Sequence, residues 1–143
     1  MILYLHTSSL VKLYVREDGS DEVKALLDEA GVVATSQVAY AEARAAFARK
    51  HRQGDFTDER YHTVITNLQQ DWGAYFALDV SWPVSKLAGE LAERYFLRGF
   101  DAIHLASALT LKTRLGSMIT FSSSDHELED AARSESLEVY KGK

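Results

Sequence analysis

At 143 residues, with 46% hydrophobic and 26% charged content, the chain is sized for one globular domain with a real core. It has no cysteine, which excludes disulfides, thiolate zinc sites and a cysteine nucleophile. The net charge of −5 argues weakly against a general nucleic-acid binder, but the sum hides an acid-rich run over 17–29 and a basic run holding Arg44, Arg49, Lys50 and Arg52.

Taken in chain order, ILYL (2–5) is a short apolar strand, and SSLVKLYV begins a helix with Ser8 or Ser9 as its N-cap. No basic segment precedes these apolar residues and Lys12 lies among them. No other run approaches the roughly 20 apolar residues of a bilayer span, so the chain is expected to be cytoplasmic and unanchored. SDEVKALLDEA (20–30) has helical spacing with acids in its first turn, and Gly31 stops it. VVAT (32–35) is the second strand. Ser36 then caps a helix running to about Gln53, with Val38, Ala41, Ala45 and Ala46 as its buried stripe. Thr57 or Asp58 opens the next helix, through Tyr61, Val64, Ile65, Leu68 and Trp72. FALDV is a third strand, and Pro83 suits the start of a helix that carries Val84, Leu87, Leu91 and Tyr95 on one face. After Gly99, residues 101–115 form a helix with Asp101 as N-cap, MITF (118–121) a fourth strand, Asp125–Arg133 a short helix and LEVY (137–140) the last strand. Strands alternating with amphipathic helices imply a parallel sheet covered on both faces, in one α/β domain spanning 1–143.

Four side chains stand out against that pattern. Glu42 lies four residues from both Val38 and Ala46, on or at the edge of an apolar stripe. It reads either as a boundary residue paired with Arg44 or Arg49, or as a ligand. Asp101 and Asp125 each read as helix caps. However, Asp125 and His6 both fall just past strand C-termini, where open α/β sheets build their sites. Acids converging there can hold a hard cation such as Mg²⁺. Their mutual repulsion in the metal-free protein is expected to raise at least one carboxylate pKa. His104, one turn after Asp101, reads as a structural histidine bonded to Asp101 or to a backbone carbonyl. Thr7, Ser8 and Ser9 read as caps, because no GxSxG elbow is present, and GxGxxG and GxxxxGK[ST] phosphate loops are also absent. Tyr61, Trp72, Tyr75 and Phe76 read as core or dimer interface.

With these residues in view, the chain resembles the PIN-domain family, and within it the VapC-type toxins of bacterial toxin–antitoxin pairs. LHTSSLVKLYVRE matches the family's opening strand and Asp-Thr-Ser-x-Leu-Val-Lys, with His6 standing where the first aspartate belongs. Glu42 in SQVAYAEARAAF, Asp101 in LRGFDAIHLASAL and Asp125 in Asp125-His126-Glu127-Leu128 match the other three acids. The resemblance implies a PIN-like three-layer α/β/α sandwich with a central, mostly parallel sheet of 4–5 short strands. It implies a metal-dependent endoribonuclease whose catalytic and metal-binding set is His6, Glu42, Asp101 and Asp125, using Mg²⁺ or Mn²⁺. It also implies an RNA substrate, a VapB-like antitoxin, a homodimer and no membrane.

His6 departs from the pattern. An imidazole gives one nitrogen where a carboxylate gives charge and two oxygens, so Mg²⁺ binding is expected to weaken while Mn²⁺ or Zn²⁺ tolerates the change better. The alternative is a PIN module that binds antitoxin or RNA without cutting. A phosphatase or phosphotransferase on a similar sheet would want a nucleophilic Asp after the first strand, which His6 removes. The basic run at 44–52 is expected near the cleft, guiding RNA phosphates.

Overall fold

The computed structural model describes residues 1–140. Five short strands, β1 (Ile2–Leu5), β2 (Val32–Ser36), β3 (Phe76–Leu78), β4 (Ile119–Ser122) and β5 (Glu138–Val139), form one sheet in the order β3-β2-β1-β4-β5. Every pairing is parallel, with Tyr4 opposite Ala34 on one side and Phe121 on the other. Parallel neighbours need crossovers, and helices supply them: α1 (Thr7–Lys12), α2 (Ser20–Glu29), α3 (Val38–Arg52), α4 (Asp58–Trp72), α5 (Trp82–Tyr95), α6 (Gly99–Leu115) and α7 (His126–Ser134).

Alternation along β1 divides the core in two. Leu3 and Leu5 pack with Leu10, Val23, Ala43, Phe47, Val64 and Leu68 from α1 to α4. Tyr4, pointing to the opposite face, packs with Leu91, Leu105, Phe121 and Leu128 and thus with α5, α6 and α7. The result is a three-layer α/β/α sandwich in which β1 is buried on both faces.

Most expected elements form, with shifts at their ends. Thr57 and Ser81 cap α4 and α5 by accepting backbone N–H bonds, and Pro83 sits in the first turn of α5. Three expectations are corrected. The cap of α1 is His6, whose ring accepts the Ser8 N–H, rather than Ser8 or Ser9. The cap of α6 is Arg98, so Asp101 lies inside the first turn. The buried stripe of α3 is Ala39, Ala43 and Phe47, one residue round from the expected set. Alanine-rich helices carry little amphipathic signal, and packing against Leu3 and Leu5 selected the face that holds Phe47.

Strand order reverses at β1: the chain steps outward to β2 and β3, then returns to the other side of β1 for β4 and β5. The crevice past the C-terminal end of β1 is therefore the topological switch point, where such sheets bind ligands. Phe47 is fully buried at the centre of the α1–α4 half of the core. Phe47→Ala is expected to lower unfolding free energy by about 3–5 kcal/mol in chemical denaturation.

Candidate active site

The site begins with Tyr4 in the buried middle of β1. Its hydroxyl lies 2.9 Å from His104 Nδ1; because His104 Nε2 faces the Glu42 carboxylate, which can only accept, the ring hydrogen sits on Nε2 and the tyrosine hydroxyl donates. His104 is wholly buried in α6, and Nε2–H reaches Glu42 Oε1 of α3 at 2.8 Å. Thr7, the first residue of α1, donates its hydroxyl to the same Oε1 at 2.6 Å. Four elements thus hold one carboxylate oxygen, and Oε2 is left for another partner. His104 pairs with Glu42, neither with Asp101 nor with a backbone carbonyl. That helical turn faces α3 across the mouth of the sheet.

The second arm starts at His6, which directly follows β1 and is nearly buried, with 8% of its surface exposed. Its Nδ1 accepts the Ser8 N–H at 3.2 Å and lies 2.8 Å from Ser8 Oγ, while Nε2–H donates to Asp101 Oδ1 at 2.8 Å. Both ring nitrogens are engaged, so no imidazole lone pair is left for a ligand. The two histidine rings meet edge to face, with centroids 4.7 Å apart.

Asp125 is engaged differently. It is the cap of α7, and Oδ1 accepts the N–H groups of Glu127 at 2.9 Å and Leu128 at 3.2 Å. It connects to His6 through Ser123, whose Oγ lies 3.5 Å from His6 Nδ1 and accepts the Asp125 N–H at 3.0 Å. Glu42 and Asp101 line one cleft of about 530 Å³ together with Arg98, Gly99, Phe100 and Ile103.

The electrostatics run against the expected repulsion. Hydrogen bonding to His6 is the main cause that holds Asp101 below the usual carboxylate range, against some desolvation. For Glu42, burial pushes upward, but the bonds from His104 and Thr7 outweigh it and the net direction is down. Burial drives His104 down, so it is neutral, as its hydrogen-bond pattern requires. Each acid faces a donor rather than another acid.

Among the described residues no three His, Asp or Glu side chains are arranged to hold a metal ion. The donor set explains why: His6 spends its Nε2–H on Asp101 and its Nδ1 lone pair on α1, and Asp125 spends Oδ1 on α7. As the side chains stand, a divalent cation lacks a complete set of oxygen ligands. The basic run is not gathered at the cleft either. Arg44 bonds Tyr40 and Lys50 pairs with Glu17, and none of Arg44, Arg49, Lys50 and Arg52 lines the cleft. Arg52 stands ten residues beyond Glu42, roughly 15 Å along the helix. The cation at the cleft is Arg98, whose charge reaches Asp101.

Residues 3–134 match the PIN domain family. The chain belongs to that family. It is 36% identical over 110 residues to Ribonuclease VapC45 of Mycobacterium tuberculosis, covering 77% of this chain and 76% of the relative. It is 33% identical over 137 residues to Ribonuclease VapC46 of the same species, covering 96% and 95%. Among solved structures, FitAcB of Neisseria gonorrhoeae superposes with a TM-score of 0.69 at 19% identity, covering 99% of this chain and 97% of that one. VapBC2 of Rickettsia felis, bound to a DNA fragment from its promoter, gives 0.66 at 16% identity, covering both chains in full. These structures share the PIN sandwich.

Sequence reading undervalued two members of the site, Thr7 and His104. Their signal lay in spacing: Thr7 abuts the strand-end residue His6, and His104 follows Asp101 by one helical turn.

Stability is expected to fall as pH drops below about 6.5, because the unfolded chain protonates His104 near its ordinary value of 6.5 and the folded chain does not. Below about 4.5, Glu42 and Asp101, held down in the fold, add a second loss as they are forced to protonate. Denaturation midpoints at several pH values measure both, and His104→Asn should flatten the upper part of the profile. Tyr4→Phe leaves His104 Nδ1 without a donor in the core, and the same assay should show a loss of about 1–3 kcal/mol.

Proposed function

We propose that this chain is a VapC-type endoribonuclease whose catalytic set is Glu42, Asp101, Asp125 and position 6, and that His6 holds that set in an impaired form. The observation that carries the reading is the pairing of Glu42 and Asp101 on one cleft at the switch point of a PIN sandwich, with His6 bonded to Asp101. The ribonuclease relatives supply the activity, and RNA phosphodiester hydrolysis suits a cleft of carboxylates that lacks both a nucleophile elbow and a cysteine.

A divalent cation, Mg²⁺ or Mn²⁺, supplies in such chemistry a positive charge against the phosphate and a bound water of lowered pKa. The residues of this chain prepare for it unequally. Thr7 and His104 orient Glu42 and keep it ionised. His6 donates to Asp101 Oδ1 and thereby presents an N–H donor to the cleft where a carboxylate would present oxygen ligands. Replacing that imidazole with a carboxylate removes the donor, restores like-charge repulsion in the cleft and adds two hard oxygens.

The partners in this reading are RNA, a VapB-like antitoxin and a second copy of the chain. The antitoxin is supported by the fold shared with the VapBC2 complex, and the homodimer by exposed apolar side chains such as Phe76 and Trp82. A cytoplasmic location follows from an RNA substrate, and among the described residues no helix is long and apolar enough to cross a membrane.

His6→Asp tests the reading. Calorimetric titration should show tighter Mg²⁺ binding than in the parent, in the 10–100-fold range typical of repaired metal-site residues. The variant should cleave RNA with Mg²⁺ and slow bacterial growth, while the parent does so feebly or only with Mn²⁺. The double variant His6→Asp with Asp101→Asn should be inert. A His6→Asp protein that binds Mg²⁺ and cuts no RNA would identify the chain as a binding module instead.

A further inference from the structure

The corner joining α5 to α6 carries features that stability alone does not favour. Phe96 ends α5 in the left-handed region, at φ 56° and ψ 41°. That position closes a helix and normally belongs to glycine; a bulky side chain there is strained. Gly116 closes α6 in the same conformation without that strain. Phe96 is also 90% exposed, so its ring gains almost nothing from the core. Leu97, the next residue, packs against the core and anchors the corner, and Arg98 turns back into solvent. Phe100, in the first turn of α6, is 58% exposed and lines the cleft beside Glu42 and Asp101. The Arg98 guanidinium has no hydrogen bond or ion pair among the described residues, and no other arginine or lysine lines that cleft.

We infer that this corner is a nucleobase-binding subsite, in which Phe100 and Phe96 stack the bases of single-stranded RNA and Arg98 holds the phosphate between them. The inference rests on the ribonuclease reading and specifies how that site grips its substrate. Exposed aromatic residues two positions before and two after a free guanidinium, with Phe100 on the same cleft as that guanidinium, match a strand of alternating bases and phosphates. A purely apolar partner would leave Arg98 unmatched. The corner is continuous with the carboxylates, because Phe100 and Asp101 are adjacent residues on one cleft wall. A base stacked on Phe100 therefore brings its neighbouring phosphodiester to Asp101 and Glu42. Duplex RNA, with its bases already stacked, lacks the free faces this surface needs. The strained Phe96 makes sense on these terms, since the fold tolerates poor local geometry to keep an aromatic ring exposed at the corner.

Fluorescence anisotropy of a labelled single-stranded RNA 12-mer, with the full chain in EDTA to prevent cleavage, tests the inference. Phe100→Ala should weaken binding about tenfold, the loss of one stacked base. Phe96→Gly should weaken binding while raising Tm, because glycine relieves the backbone strain. Arg98→Gln should reduce the slope of log K against log salt by about 0.7, the share of one phosphate contact on a single strand. Single-stranded RNA should bind better than a duplex of equal length. If the parent binds RNA and Phe96→Gly and Phe100→Ala bind equally well, the subsite is overturned while the RNA reading stands. A shift in sedimentation of those variants, with RNA affinity unchanged, would assign the corner to contact with a second copy and equally overturn it. A parent that binds no RNA sinks the subsite together with the ribonuclease reading.

Discussion

The buried hydrogen-bond chain from Tyr4 through His104 to Glu42 is the constraint on which the site depends. Tyr4 lies in the central strand, packed between Phe121 and the α6 side of the core, with its ring stacked on Phe121 at 5.5 Å between centroids. Glu42 can only accept, so the ring hydrogen of His104 lies on Nε2, and the Tyr4 hydroxyl completes the chain by donating to Nδ1. Bonds anchored in the dry core thereby fix the direction of a carboxylate at the cleft and help hold it ionised. In low dielectric such a chain is stabilising only when every member is satisfied, and among the described residues no buried side-chain N or O lacks a partner.

His6 shows how one residue alters a site without disturbing its frame. It caps α1, donates its main-chain N–H to the Ser122 carbonyl of β4, and bonds Asp101 across the cleft. All of this is compatible with the PIN sandwich, so the architecture is preserved. What changes is the balance of charge. Where a carboxylate would repel Asp101 and call for a cation, the imidazole satisfies Asp101 directly and holds it ionised without one. The same bond ties the end of β1 to the start of α6, so His6 also braces the fold.

Much of the architecture was legible in the residue order. Every expected strand is present, and α/β alternation led to a parallel sheet with two covered faces, because strand and helix periods differ and each element must bury a face. The errors fall where local rules are weak. In α3, alanines on several faces left the buried stripe ambiguous until Phe47 met Leu3 and Leu5. Asp101 looks like a cap to any local rule, yet α6 starts earlier and Asp101 is drawn to His6, 95 residues away.

The sequence by itself determined the family, the element order and the presence of Glu42, Asp101, Asp125 and His6 at strand ends and helix starts, since those follow from motifs and short-range periodicity. Only the tertiary structure decided which of them touch. It matched His6 to Asp101 and His104 to Glu42 and brought Thr7 onto the same carboxylate as His104. These pairings depend on how helices from opposite faces of the sheet converge beyond β1. The physical reason is distance along the chain: partners 35, 62 and 95 residues apart are chosen by the packing of whole elements, which no local pattern encodes.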